Sequence, residues 1–87
     1  MKIFGDDGIR ATILYHLRKK RVIGRVHTPF DTLKKGFPSH LGKDIKKVAE
    51  QLIKEGLLIP KPTSYGLQVS LYLDSIQELD KYITDVL

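Results

Sequence analysis

His40, Lys43, Lys46 and Lys47 fall within one short stretch, PSHLGKDIKK, at residues 38–47. On a helix turning about 100° per residue, Lys43 and Lys47 lie opposite the aliphatic stripe, with Lys46 on one flank and His40 on the other. The first acid on that outer face is Glu50, so Lys46 and Lys47 have one helical partner between them. Ammonium groups in a row without matching carboxylates have the chemistry to neutralise nucleic-acid phosphates. A face of lysines that meets only water is the plain alternative. The first half of the face holds no arginine, asparagine or glutamine, the side chains that best read base edges. Contact dominated by phosphate is therefore expected, with His40 and Lys43 best placed to reach a base.

A second candidate cluster is Lys61-Pro62-Thr63-Ser64-Tyr65-Gly66. Lys61, Ser64 and Tyr65 offer an ammonium group, a hydroxyl and a phenol to a phosphate backbone or minor groove. Tyr65 has a competing use, folding back on the domain. Arg25 and Thr28 are lesser candidates, since Thr28 has a structural job as a helix cap.

Other chemistry is not evident. His16, His27 and His40 are too scattered for a metal motif, and a His27–Asp31–His40 site would need folding to assemble it. There are no cysteines, which removes disulfides, thiolate zinc sites and thiol nucleophiles. No glycine-rich phosphate loop, nucleophile elbow or apolar carboxylate pair occurs. Asp6 or Asp7, Asp31, Asp74 and Glu78 have capping roles. The expectation is no enzyme, no metal, no cofactor and no small-molecule ligand.

The chain has 87 residues and a formal net charge of +5, with a pI near 9.6. Residues 1–73 hold 14 Lys+Arg against 6 Asp+Glu, a net of +8, while residues 74–87 hold 1 against 4, a net of −3. A basic body with an acidic tail points to two surfaces with different tasks. The start, MKIFGDDG, lacks the apolar stretch of a signal peptide, and no run approaches a membrane span. A cytoplasmic protein forming one domain over 1–87 is expected.

The elements that must position these residues are readable from pattern. Asp6 or Asp7 caps a helix from near residue 8, with Ile9, Ile13, Leu14 and Leu17 on one face. Its end, Arg18-Lys19-Lys20-Arg21, suits the negative pole of a helix dipole. Residues 22–26 read as a brief strand or extended link. Thr28-Pro29-Phe30-Asp31 reads as the start of a second helix that Gly36 ends after about two turns. Ser39 caps a third helix, whose stripe is Leu41, Ile45, Val48, Ala49 and Leu52, and which Gly56 stops. Free N–H groups at residues 40–42 would favour an anion. Residues 57–61 and 67–73 read as a hairpin joined by a turn-rich link over 62–66, with Pro60 on an edge. Asp74 or Ser75 opens the last helix, within 73–87, and Ser75 with Glu78 fits a capping box.

This order resembles the winged helix-turn-helix family over nearly the whole chain. The resemblance is carried by the second and third helices joined through Gly36-Phe37-Pro38-Ser39, by the join Glu55-Gly56-Leu57-Leu58, and by the stretch EGLLIPKPTSYGLQVSL. It is strongest to the small stand-alone winged-helix proteins of archaea and their viruses. The resemblance implies an α+β winged helix that binds double-stranded DNA as a transcriptional regulator. The third helix would enter the major groove, and the hairpin wing would lie on the backbone or minor groove. Carried onto this chain, the contacts are Ser39, His40, Lys43, Lys46 and Lys47 on the helix and Lys61, Ser64 and Tyr65 on the wing. Winged helices also serve as protein-interaction and RNA-binding modules, which stand as the alternative.

The last helix repeats Ile76, Leu79, Ile83 and Val86 at steps of three and four. The stripe can pack on the first helix, or form a two-helix seam with a second copy. A homodimer through this seam is expected, remote from the DNA face.

Overall fold

The sequence's longest apolar stripes become its longest helices. The computed structural model describes residues 6–86. Helix α1 spans Asp6–Lys19 and α2 spans Gly42–Lys54. Ile9, Ile13, Leu14 and Leu17 of α1 meet Leu41, Ile45, Val48, Ala49 and Leu52 in one core. Each side chain of this size contributes about 1.5–3 kcal/mol when taken out of water.

Three antiparallel strands close one side of that core in the order β1-β3-β2: β1 (Thr28–Pro29), β2 (Leu58–Thr63) and β3 (Gly66–Leu71). Leu58 pairs with Leu71, and Thr28 with Val69, so Leu58, Leu71 and Val69 point inward and are fully buried. The expected link at 22–26 contributes a single parallel bridge, Ile23 to Leu71. Pro60 and Pro62 both lie on β2, the outer strand, where one edge needs no donors. Helix α3 (Ile76–Val86) then packs across α1, burying Leu79. The result is an α+β domain with three α-helices and one sheet among the described residues.

Several local expectations need correction. The helix expected from Thr28 does not form. Thr28 and Pro29 pair with Val69 and Gln68 as β1, and Phe30–Lys34 is a 3₁₀ helix. The segment lies between a proline held extended (ψ 141°) and Gly36 at φ 87°, too short to recover the cost of nucleating an α-helix. Ser39 caps nothing. It opens a 3₁₀ turn, Ser39–Leu41, after extended Pro38, and α2 starts at Gly42 without a side-chain cap. The Leu41 N–H already bonds to the Pro38 carbonyl at 3.1 Å. The donors expected free at residues 40–42 are thus partly used by the 3₁₀ turn. Asp44 sits in the first turn of α2, where a carboxylate suits the dipole. Ser75 likewise ends a 3₁₀ turn, Leu73–Ser75, its N–H bonded to the Tyr72 carbonyl at 3.1 Å. The hairpin turn is tighter than the pattern implied, and β3 ends at Leu71, short of the expected 73, because Leu73–Ser75 forms the 3₁₀ turn. The strands run to Thr63 and Gly66, leaving Ser64 and Tyr65 alone at the tip.

Candidate nucleic-acid interface

Helix α2 fixes the cationic side chains by fixing their opposite face. With Ile45, Val48, Ala49 and Leu52 buried, Lys43, Lys46, Lys47, Glu50, Gln51 and Lys54 all face out. These six line one shallow groove of ≈ 400 Å³ along the helix. Among the described residues, no carboxylate lies within 4.0 Å of Lys43, Lys46, Lys47 or Lys54. The acids that sequence spacing offered them are not used. Glu55 is taken by Arg10 of α1 and by Gln51. The Arg10 hydrogen bond holds the Glu55 carboxyl below the usual carboxylate range. Among the described residues Glu50 has no cation within bonding distance. Lys54 and Gln51 belong to this face although they were not among the expected contacts. The spacing 43, 47, 51, 54 is the helical signal that could have found them.

The hairpin tip is the second part. Gly66 (φ 118°) takes up the chain reversal, while Ser64 and Tyr65 keep negative φ, as in a type I turn followed by a bulge glycine. The Thr63 hydroxyl donates to the Gly66 carbonyl at 2.7 Å and accepts the Tyr65 N–H at 3.2 Å. This pinned turn carries Tyr65 with 97% of its surface exposed, so the ring does not fold back on the domain.

Helix and tip are joined by a larger groove of ≈ 440 Å³, lined by Lys46 and Glu50 from α2 and by Tyr65 and Leu67 from the hairpin, among others. Comparison of the chain with protein-family models, curated proteins and solved structures found no match. The site is thus described by its own geometry. Of the expected contacts, Lys43, Lys46, Lys47 and Tyr65 line these two grooves. Ser39 and His40 are exposed on the 3₁₀ turn before α2, outside both. Lys61 is exposed on β2, paired across the ladder with Gln68, and Ser64 is exposed beside Tyr65. Arg25 is exposed in the loop before β1, and Thr28 is half-buried in β1.

Leu79 is 3% exposed within the single chain, and Ile76 and Ile83 pack against the same core half-buried. The Val86 side chain lies outside the described residues. No helix of the described residues is long and apolar enough to cross a membrane.

Proposed function

We propose that this chain is a winged-helix protein that binds double-stranded DNA through the outer face of α2, acting as a transcriptional regulator. One observation carries the reading: the lysines of α2 are exposed and unpaired, and they adjoin a groove leading to the projecting hairpin tip. Lysines that served only the fold would be expected to take the acids within reach, and here Glu50 is left alone. The convex helix face suits the wide major groove of B-form DNA. The deep, narrow major groove of A-form RNA would exclude it. The hairpin tip would follow the adjacent backbone, with Lys61 and Ser64 on phosphate. This reading keeps the expected homodimer through α3, whose Ile76 and Ile83 are only half-buried in the single chain.

The protein-interaction alternative has an observation of its own. Leu73 is 62% and Tyr72 42% exposed, and neither lines the two grooves by α2.

Anisotropy of a labelled random duplex of about 30 base pairs, titrated at two salt concentrations, separates the readings. Wild type should bind and weaken with salt. The Lys43→Ala/Lys46→Ala/Lys47→Ala variant should lose affinity on the order of 10²-fold near 0.1 M salt, with its log–log slope reduced by about 0.9 per phosphate contact removed. Failure of the wild type to bind at low salt would refute the DNA reading.

A further inference from the structure

The groove between the hairpin tip and α2 has a lining that phosphate binding does not explain. Phe30, Ile53 and Leu67 give it an apolar wall, and the carboxylates of Asp31 and Glu50 border it. Two carboxylates would repel a phosphate. Asp31 has only a distant partner, Lys34 at 4.0 Å, and is almost fully exposed. Tyr65 stands on the hairpin side with both ring and hydroxyl free of partners among the described residues. The fold gains nothing from an aromatic ring there, since the tip is built by Thr63 and Gly66.

These parts suit the flat face and polar edge of a nucleobase. Aromatic rings stack on any base, and aliphatic walls tolerate the face. Carboxylates accept hydrogen bonds from the exocyclic amines of cytosine and adenine, which thymine lacks. Lys46 lines this groove and the lysine face together, so a base entering here would leave its phosphate beside a cation. In a continuous duplex every base is stacked and paired, whereas a bulged or mismatched base is already part-way out.

We propose that this groove receives a single unpaired base of the bound DNA, stacked on Tyr65 and held at its amine edge by Glu50 or Asp31. The chain thereby prefers duplexes that carry an extruded base. The inference rests on the DNA-binding reading and adds the kind of DNA preferred.

The test compares three labelled duplexes of one sequence: continuous, with one bulged cytosine, and with one bulged thymine. Wild type should bind the bulged-cytosine duplex about tenfold more tightly than the continuous one, and the bulged-thymine duplex in between. Tyr65→Ala should cost most on the bulged-cytosine duplex and so erase the preference, whatever it costs on the continuous one. Tyr65→Phe should preserve it. Glu50→Gln should narrow the gap between cytosine and thymine. The chain has no tryptophan, so Tyr65→Trp supplies a single indole whose fluorescence should be quenched by the bulged duplex more than by the continuous one. Equal wild-type affinity for all three duplexes would overturn the inference and leave the duplex-binding reading standing. So would a Tyr65→Ala loss equal on all three, which would make the tip a backbone contact. Binding to none of them would refute both and leave the groove to a protein partner.

Discussion

Helices α1 and α2 lie side by side, and their cations are used differently. Arg10 of α1 reaches Glu55 at the end of α2 and lies 5.4 Å over the Tyr82 ring of α3. Arg18 forks onto Asp80 of α3, with Nε to Oδ1 at 2.8 Å and a second bond at 3.3 Å. These contacts tie α1 to its neighbours, and they use arginine, whose planar fork fits a carboxylate. Arg10 and Arg18 of α1 are thus paired within the fold. The cations of the α2 face are all lysines, and among the described residues none of them pairs with a carboxylate. Pairing does not make the arginine side strong, however. Arg18 and Asp80 keep 36% and 46% of their side chains exposed, and such a pair is worth at most about 1 kcal/mol.

The largest effect should therefore come from the apolar contact beneath the ion pairs. Leu79→Ala should lower unfolding stability by about 2–4 kcal/mol, read by urea denaturation. Arg18→Ala should cost under about 1 kcal/mol. Neither should change DNA affinity per folded molecule. A larger loss from Arg18→Ala than from Leu79→Ala would reverse this ranking and make the ion pair the main attachment of α3.

The two helix ends extend the comparison at a smaller scale. Both α1 and α2 close with the same pair of bonds: Val22 N–H to the Leu17 carbonyl and Arg21 N–H to Arg18, then Leu57 N–H to Leu52 and Gly56 N–H to Ile53. The motif needs a left-handed residue. Gly56 supplies it at φ 79°, but in α1 the position is Arg21 at φ 57°. A side chain there costs about 1–2 kcal/mol in strain. Arg21→Gly should stabilise the domain by about 0.5 kcal/mol, after the greater freedom of glycine in the unfolded chain is subtracted. Gly56→Ala should destabilise it by about 1 kcal/mol. Its added methyl would meet nothing within 4 Å, so the effect would be purely conformational. Paired thermal melts of the two variants give both signs.

This contrast also marks what the sequence made legible. Long stripes such as Leu41 to Leu52 report their own burial, so α2, its cationic back and the hairpin were readable. Short segments were not. Thr28-Pro29 has the residues of a helix start, but its backbone went to Val69 and Gln68 forty residues away, and local propensity carries no record of that pairing. Arg21 gave no sign of a left-handed turn, because arginine is not a residue that favours one. The lysines were legible as exposed and short of acids; that Glu50 pairs with none of them among the described residues was not, since helical spacing places side chains near one another without fixing which of them meet. The nearness of Tyr65 to Lys46 likewise exists only once the hairpin stands beside α2.

The smallest effect tests the arginine side by pH. Glu55 is held below the ordinary carboxylate range, first by the Arg10 hydrogen bond, with the Gln51 bond and the Arg10 charge adding and burial opposing. The unfolded chain, with its carboxyl near 4.5, then takes up the proton at a higher pH than the folded one. Between those two values the unfolded state binds more protons, so stability falls as pH falls. The contribution of Glu55 is complete above the unfolded value and is lost as pH drops through the folded one. With 34% of the Glu55 side chain in water, screening limits it to about 0.5–1 kcal/mol. Wild type and Glu55→Gln should thus differ by a constant amount near neutral pH, and the gap should close below about pH 4.5. Arg10 is shifted upward from an already high value, so it adds no slope in that range. A gap that persisted at low pH would mean that Glu55 acts through packing and not through its charge. The arginine side would then differ from the lysine side by shape alone.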